Sequence, residues 1–291
     1  MINKIKFHLM RSVPNLAMKR WLAERAAKRV GKAKNYKGST VLPSQLDAKE
    51  GLKSLEESGF CDFGQVLDQK MIDEIMNSVK ALKCFDPFRA NLDSLDPMDP
   101  PAETHVANYR RSELSRLEPI LKLANDPSIL NIVASFLGAQ PTISNVNMWW
   151  SYSGHNEAEQ AQNFHRDFDD IKFCKLFIYL TDVEKENGPH VFVKGSSNQS
   201  KLLKIKRYTD SQIEEAFGPE NILEFVRPKG SMFLVDTYGF HKGLLPQKGN
   251  RLILQIQYSL GPILIENYEP QAIGNRKRYD PYVNRLILDQ S

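Results

Sequence analysis

The sequence contains few cysteines and no long apolar run. Cys61, Cys84 and Cys174 are odd in number, far apart and without CxxC spacing, which argues against a disulfide framework or a cysteine zinc site. The longest apolar run covers residues 176–180, well short of the ~18 residues that a transmembrane helix needs. The N-terminus has lysines but lacks the apolar segment of a secretory signal. The sequence therefore predicts a cytoplasmic protein.

Several motifs of common enzyme classes are also missing. The sequence shows no internal repeat, P-loop, G-x-G-x-x-G turn or nucleophile elbow. Hydrophobic residues make up 41% of the chain and charged residues 25%, which is ordinary for a globular protein with a sizeable core.

Positive charge is concentrated at the N-terminus. Residues 1–34, the leader, contain ten Lys or Arg and one acid, Glu24, although the whole chain has a net charge of only +4. Apolar residues at helical spacing predict a helix broken near Pro14. One interpretation places the leader on an anionic membrane, where it brings the rest of the chain to the surface without forming part of a functional site. The other docks the leader on the body through Trp21 and Leu22. Nucleic-acid binding is not expected, because the leader lacks interleaved aromatics and the body is acidic.

The rest of the chain, residues 35–291, is predicted to be a single domain. Helical patterns predominate in residues 44–137, and short β-branched or aromatic runs predominate in residues 140–260, before a C-terminal tail at 261–291. This order indicates a mainly β fold, a β-sandwich or jelly roll, with a helical buttress on its N-terminal side. The individual helices are predicted at residues 48–58, 69–82, 114–124 and 127–137. Residues 86–104, rich in Pro and Asp, predict a long surface loop, and such loops are often lids or binding loops.

Metal-binding potential is found in the stretch "NFHRDFDD". His165 and Asp167 are two residues apart, so on a strand they share a face and can bind one ion. His155 and Glu157 have the same spacing, so the motif alone does not decide between the pairs. A third ligand must come from elsewhere.

The candidates for that third ligand are other histidines. His241 follows the strand-like "SMFLVDTY", His190 follows an Asn-Gly turn, and His8 and His105 lie in the leader and the loop region. Two histidines and a carboxylate make a facial triad, which leaves coordination positions open and suits non-haem Fe(II) oxygenases.

A strand-like run, "NRLILQIQYSL", adds Arg251. Alternation places Arg251, Ile253, Gln255 and Gln257 on one face, which is either half exposed to solvent or turned into a polar cavity. An inward arginine would bind a carboxylate with two parallel hydrogen bonds. An Fe(II) site with such a clamp points to a 2-oxo-acid cosubstrate.

Taken together, "FHRDFDD", "KLFIYLTDVEKENGPHVFVKGSS", "GSMFLVDTYGFHKG" and "NRLILQIQY" resemble the phytanoyl-CoA dioxygenase family of Fe(II)/2-oxoglutarate-dependent oxygenases. The resemblance covers residues 140–260 well and the preceding helical part loosely. It implies a double-stranded β-helix (a jelly roll, cupin-like), Fe(II) on His165, Asp167 and His241, and 2-oxoglutarate between the iron and Arg251. Asp167 stands where halogenating relatives have a small residue, so hydroxylation with O2 is the implied outcome, with decarboxylation of 2-oxoglutarate to succinate and CO2.

His155 and Glu157 then become the chance pair, because they lie in the polar, loop-like "SGHNEAEQAQN". Two further residues are candidates for cofactor binding. Lys175 interrupts an apolar strand face, so it is either a lysine that reaches out to solvent or a pocket residue that binds substrate or 2-oxoglutarate. Asn147 lies on a strand that in the family helps to hold the cosubstrate.

Two other classes of function stay open. A jelly-roll metal protein without oxygen chemistry, such as a cupin-like isomerase or a binding module, would have no use for Arg251. A protein that acts only through its leader would have a β core that has lost its functional residues. The complete triad argues against this alternative. The substrate class is left open between small molecules and lipid- or sugar-linked groups.

Overall fold

The computed structural model describes residues 2–13, 15–41 and 48–289. The helices in these ranges are α1 (Ile2–Arg11), α2 (Leu16–Val30), α3 (Ala48–Ser58), α4 (Gln69–Val79), α5 (Arg111–Leu114), α6 (Glu118–Ala124), α7 (Pro127–Leu137) and α8 (Asp210–Phe217). The strands are β1 (Phe60–Gln65), β2 (Cys84–Phe85), β3 (Val106–Tyr109), β4 (Thr142–Ser151), β5 (Phe173–Tyr179), β6 (His190–Val193), β7 (Ile222–Glu224), β8 (Ser231–Val235), β9 (His241–Gly243) and β10 (Arg251–Ser259).

Local sequence signals set most helix ends. The Asp126 side chain accepts hydrogen bonds from the first backbone N–H groups of α7, and Gly138, at φ 72°, ends that helix. The helix predicted at 48–58 is confirmed, and α4 ends at Val79, three residues earlier than predicted. The single helix predicted at 114–124 is wrong. It is divided into α5 and α6, because Pro119 in the first turn of α6 cannot continue a helix that begins before it.

Two sheets form the body. The larger has strand order β1-β8-β5-β10-β4-β3-β2 and the smaller has β7-β6-β9, with antiparallel pairing in both. Apolar side chains from both sheets meet between them, among them Phe177 and Phe233 of the large sheet and Phe192 of the small one. This is the mainly β, double-stranded β-helix that the sequence predicted.

The helices cover the outer face of the large sheet. Cys174, Leu176 and Ile178 of β5 point to this side and join a core that includes α6 and α7. Strand β5 is therefore buried on both faces, which explains the apolar run at residues 176–180. Among the described residues no single helix is long and apolar enough to cross a membrane. Helices α6 and α7, which are bent relative to each other, reach the required length and apolar composition only when they are taken together. Their apolar side chains are packed in this core.

The chain ends also pack on the body. In the leader, Phe7, Ala23 and Ala27 are buried, whereas Trp21 is 52% exposed. Helix α2 therefore docks through its alanines and the partly buried Leu22, and docking through Trp21 is wrong. In the tail, the backbone carbonyl of Val283 accepts a hydrogen bond from Ile143 in β4. The break predicted near Pro14 lies between the two leader helices, and Pro14 itself is outside the described residues.

Candidate metal centre

Backbone pairing brings the two distant histidines together. The N–H of His165 donates to the carbonyl of His241, and the N–H of His241 donates to that of His165, both at 3.0 Å. The ring centroids are 4.3 Å apart. Asp167 is fixed by its own N–H, which donates to the carbonyl of Thr237 at 2.9 Å. Residues 76 positions apart thus meet where the chain before β5 pairs with the start of β9.

Hydrogen bonds orient both imidazoles. Nδ1 of His165 lies 2.9 Å from the carbonyl oxygen of Asn163, and Nδ1 of His241 lies 3.0 Å from that of Gly239. A carbonyl only accepts, so each Nδ1 carries a proton and each neutral ring has its lone pair on Nε2. Each Nε2 faces the Asp167 carboxylate, at 3.5 Å for His165 and 3.3 Å for His241. Hydrogen bonding of this kind is how proteins orient metal-binding histidines.

The electrostatics keep His165 and Asp167 in the protonation states that bind metal. Burial, and then the neighbouring His241, lower the pKa of His165 to about 3. Burial alone would raise the pKa of Asp167, but Lys175 and the two histidines outweigh it and hold the pKa well below its usual range. One ligand atom from each of His165, Asp167 and His241 lies within 4.8 Å of the others. Two neutral imidazole nitrogens and a carboxylate on one side of an open space fit a divalent transition metal.

Lys175 is tied to this cluster from β5. Its Nζ lies 2.7 Å from Asp167 Oδ2 and 2.9 Å from Asp169 Oδ2. The side chain is buried, and although burial alone would lower its pKa, the two carboxylates raise it. The interpretation of Lys175 as a lysine that reaches into solvent is therefore wrong. It faces the pocket, where its single positive charge is shared between one carboxylate of the candidate metal site and one beside it.

Arg251 is buried at the start of β10, opposite the end of β4. Its Nη1 donates to the carbonyl of Gly188 and its Nη2 donates to Ser151 Oγ at 3.1 Å. Its buried Nε has no hydrogen-bond partner among the described residues. Arg251, Ile253 and Gln255 all line a cavity, so this face of β10 is turned inward and the half-exposed alternative is wrong.

This cavity, the inner cavity, has a volume of about 260 Å³ and contains both the metal-binding cluster and Arg251. Asn147 lines it from β4, directly opposite Gln255 of β10. Pro87 and Phe88 of the loop at 86–104 lie at its rim, so that loop borders the pocket as its length suggested. All six residues that the sequence proposed for metal or cofactor therefore face one cavity: His165, Asp167, His241, Arg251, Lys175 and Asn147.

The competing histidines lie outside the cluster. His155 Nε2 lies 2.9 Å from the carbonyl oxygen of Thr104, and its ring stacks on His105 with centroids 3.6 Å apart. His190 lines the inner cavity, its centroid 5.7 Å from that of His241, and its buried Nε2 has no partner among the described residues. It does not belong to the group of potential ligands. Burial, with His241 and Arg251 nearby, holds the pKa of His190 well below its usual range.

A second opening reaches the cluster from the side of the leader. This outer cavity, of about 500 Å³, is lined by His165 and Asp167 and also by Phe7 and Arg11 of α1. The expectation that the leader forms no part of the site is therefore wrong, because α1 packs against the wall of a cavity that contains two potential metal ligands. Phe7, to which the sequence analysis gave no role, is buried and holds α1 against the wall of this cavity.

Two further residues near the cluster were not identified from the sequence. Asp169 shares Lys175 with Asp167, and its position two residues after Asp167 was the available signal. Arg166, between the two potential ligands, is buried and donates to the carbonyls of Tyr238, Gln199 and Lys201. No sequence pattern marked it, because its partners are backbone atoms.

Comparison with solved structures supports the fold. HygX from Streptomyces hygroscopicus, solved with nickel and 2-oxoglutarate bound, aligns with a TM-score of 0.54 and 15% identity over 76% of this chain and 90% of its own. SnoK, a non-haem α-ketoglutarate-dependent carbocyclase from nogalamycin biosynthesis, aligns with a TM-score of 0.52 and 13% identity over 76% of this chain and 87% of its own.

Sequence comparison identifies the family. No curated protein sequence is significantly similar to this chain. The family model of phytanoyl-CoA dioxygenase (PhyH), however, matches residues 55–244, a span that contains the three potential metal ligands and Lys175. Because that span is well over half of the sequence, the chain belongs to the phytanoyl-CoA dioxygenase family.

Proposed function

We propose that this protein is an Fe(II)/2-oxoglutarate-dependent dioxygenase that hydroxylates its substrate. One observation carries the proposal: the His165, Asp167 and His241 ligand atoms, within 4.8 Å of one another, share a buried cavity with Arg251. Three protein ligands leave coordination positions for a cosubstrate and O2. A cupin-like isomerase or binding module would not require the arginine, and family membership also favours the oxygenase.

Each residue has a defined task in this proposal. His165 and His241 present Nε2 to Fe(II) because their Nδ1 atoms are held by backbone carbonyls, and Asp167 supplies the anionic ligand. Arg251, which lines the cavity, binds the carboxylate of 2-oxoglutarate that is remote from the metal through the N–H groups of its guanidinium. Together, Fe(II), 2-oxoglutarate and O2 supply the oxidant that attacks an unactivated C–H bond. The buried walls limit the entry of water.

Asn147 and Lys175, on the two strands that flank β10, are proposed to assist cosubstrate binding and metal binding, respectively. Asn147 lines the cavity beside Gln255 and is placed to hydrogen-bond the cosubstrate. Lys175 holds one oxygen of Asp167, so it acts on the metal site through that carboxylate. The sequence allowed a direct contact of Lys175 with substrate or 2-oxoglutarate as one of two alternatives, and the ion pair favours this indirect role.

Hydroxylation is the specific outcome we propose, with a small-molecule or lipid- or sugar-linked substrate. Related folds differ in outcome: SnoK is named a carbocyclase and SnoN an epimerase. HygX was solved with hygromycin B. Incorporation of one oxygen atom from ¹⁸O₂ into the product would support hydroxylation, whereas a product without added oxygen would support cyclisation or epimerisation.

The activity itself is tested by succinate release. Purified protein supplied with Fe(II), ascorbate and 2-oxoglutarate should release succinate slowly, and faster with a substrate. Asp167→Ala should abolish this release, and the matched control Glu157→Ala, which removes the carboxylate of the chance pair, should not. Equal succinate release by the wild type and Asp167→Ala would overturn the proposal.

We propose a cytoplasmic location with peripheral contact between the leader and an anionic membrane. The support is that Ile5 and Leu9 of α1 are 54% and 66% exposed, beside the lysines of the same helix. Co-sedimentation with anionic liposomes at low salt should be lost in Ile5→Glu/Leu9→Glu. If the wild type does not sediment with liposomes, the location is cytoplasmic only.

A further inference from the structure

The outer cavity is strongly basic. Arg11 comes from α1, Arg166 from the metal-binding stretch, and Lys204, Lys206 and Arg207 from the loop that precedes Tyr208. The acids in its wall are Asp167 and Asp169, and both are already engaged by Lys175. Five cations thus face two carboxylates, one of whose charges Lys175 offsets, and a divalent metal would add further positive charge.

These cations have few anionic partners within the protein. Two oppositely charged groups form an ion pair when their nitrogen and oxygen atoms lie within 4.0 Å. Among the residues that the structure describes, no carboxylate oxygen lies that close to Arg11, Lys204, Lys206 or Arg207. The buried Nε of Arg11 also has no hydrogen-bond partner there. The side chain of Arg207 is exposed to solvent, and partial desolvation by its neighbours lowers its pKa, an effect that the nearby Asp167 partly offsets. A cluster of unpaired cations beside a cavity is a site for an anionic group.

The basic loop is held in a fixed position. The Arg166 guanidinium donates to the carbonyls of Gln199 and Lys201, and the hydroxyl of Tyr208 donates to those of Leu202 and Lys204. The N–H of Tyr208 donates to the carbonyl of Phe164, next to His165. The loop is therefore tied at both ends to the segment at 164–166, which precedes β5 and carries His165, so its cations need little reorganisation to bind a ligand.

Apolar surface continues from the cations to the potential metal site. Phe7, Phe168, Phe240, Ile205 and Ile265 line the same cavity. Ile205 and Ile265 are 46% and 49% exposed at its rim, whereas Phe240 is fully buried. The Arg11 guanidinium lies over the Phe7 and Phe168 rings, 5.1 Å and 5.7 Å from their centroids. A ligand here meets charge and apolar surface together.

We propose that the outer cavity is the substrate site, and that it takes an amphiphile whose anionic headgroup, phosphate in character, contacts Arg11, Lys204, Lys206 and Arg207. The apolar segment of this ligand lies along Phe168, Ile205 and Ile265 and carries the reacting carbon towards His165 and Asp167. This assignment rests on the proposed function, because the outer cavity becomes a substrate site only if those two residues hold the reactive metal. Helix α1 is then a wall of the substrate site.

Binding of simple probes to the full-length protein tests the assignment without requiring turnover. Monododecyl phosphate supplies both parts of the ligand, dodecyl maltoside has the same tail with a neutral headgroup, and inorganic phosphate has no tail. Titration calorimetry below the critical micelle concentrations should show binding of monododecyl phosphate at least about tenfold tighter than binding of either other probe, a difference of about 1.4 kcal/mol. Equal affinity for dodecyl maltoside, or for inorganic phosphate, would overturn it.

Variants locate the binding. Lys204→Ala/Lys206→Ala and, separately, Arg11→Ala should each weaken monododecyl phosphate binding by about fivefold to tenfold, as expected for the loss of partly exposed charge contacts. The matched control Lys80→Ala/Lys248→Ala removes two exposed lysines outside the cavity and should leave the affinity unchanged. Unchanged binding in both site variants, or equal loss in the control, would contradict the assignment. Circular dichroism confirms that each variant is folded.

Two further experiments are needed. One distinguishes a ligand in a bilayer from a free amphiphile, and the other distinguishes this assignment from the proposed function. Vesicles of phosphatidylglycerol that bind through the same residues would identify a lipid headgroup in a bilayer, whereas binding of the monomeric probe alone would identify a free amphiphile. Succinate release with Fe(II) and 2-oxoglutarate alone tests the proposed function. Normal release without monododecyl phosphate binding would overturn only this inference. Binding without any succinate release would overturn the proposed function and with it the assignment as a substrate site.

Discussion

The Lys175 ammonium lies 2.7 Å from Oδ2 of Asp167, inside the cavity that holds the two histidines of the candidate metal site. Asp169 lies on the other side of the same ammonium, at 2.9 Å. One lysine therefore separates two half-buried carboxylates that would otherwise repel each other. It also leaves Oδ1 of Asp167, 3.5 Å from His165 Nε2, for a metal ion.

The role of Lys175 is tested by comparing two affinities. In Lys175→Met the Asp167 carboxylate loses its anchor, and such partners of metal ligands typically contribute about 10- to 100-fold in metal affinity or activity. We expect Fe(II) affinity to fall by about that factor, with 2-oxoglutarate affinity in the metal-loaded protein nearly unchanged. Equilibrium dialysis measures the metal, and calorimetry with Ni(II)-loaded protein measures 2-oxoglutarate. A fall confined to 2-oxoglutarate would return Lys175 to direct cosubstrate binding.

The potential ligands should be essential as a set. His165→Ala, Asp167→Ala and His241→Ala should each abolish Fe(II)-dependent succinate release, because two protein ligands leave the ion weakly held and wrongly oriented. His155→Ala should retain most of the activity, since that ring lies against Thr104 and His105. Metal content after desalting provides the second measurement. Loss of bound iron in His155→Ala would show that the wrong pair has been chosen.

Arg251 should determine the affinity for 2-oxoglutarate and not the affinity for the metal. Arg251→Ala removes a charge-assisted contact with the carboxylate, worth about 2–4 kcal/mol in a buried site. At about 1.4 kcal/mol for each factor of ten, apparent 2-oxoglutarate affinity should fall by tens- to several-hundred-fold, with iron binding retained. Arg251→Lys should recover only part of the loss, because an ammonium cannot form the bidentate pair. Unchanged 2-oxoglutarate affinity would place the carboxylate elsewhere.

Lys19 of α2 should make stability depend on pH. Burial lowers its pKa from 10.5 to about 7, against the opposing effect of Asp236. Between these values the unfolded chain binds a proton that the folded protein does not, so the Lys19 contribution destabilises the fold progressively as pH falls from 10.5 to about 7. The change is below about 1.4 kcal/mol per pH unit, because the side chain is partly solvent-exposed.

A comparison with Lys19→Met isolates this effect. Methionine keeps the apolar stem and cannot take up the proton. The difference in unfolding free energy, Lys19→Met minus wild type, should therefore rise as pH falls from 10.5 to about 7 and level off below. Urea denaturation across that interval measures it. A difference that is independent of pH would show that Lys19 remains charged in the folded protein.

Much of the fold followed from the sequence because local signals agreed with the tertiary structure. The capping Asp126 and the terminating Gly138 define the ends of α7, and the apolar run at 176–180 reflects burial of β5 on both faces. The single helix predicted at 114–124 was wrong because apolar residues at helical spacing continue past Pro119, whose ring prevents a continuous helix.

The candidate site was predictable where residue type and spacing carry the chemistry, as for His165, Asp167 and Arg251. The position of the leader was not predictable, because Phe7 and Arg11 reach the outer cavity through a tertiary contact that helical spacing does not encode. The same holds for Arg166, which binds backbone carbonyls at positions 199, 201 and 238. Only the folded chain places those carbonyls around one guanidinium.

The most direct test is a crystal structure of the full-length protein with Ni(II) in place of Fe(II) and with 2-oxoglutarate. The proposal predicts anomalous density for nickel bonded to His165 Nε2, His241 Nε2 and an oxygen of Asp167, with 2-oxoglutarate reaching from the metal to Arg251. Nickel on any other set of side chains, or a 2-oxoglutarate carboxylate bound at Lys175 or Arg207 and not at Arg251, would contradict it.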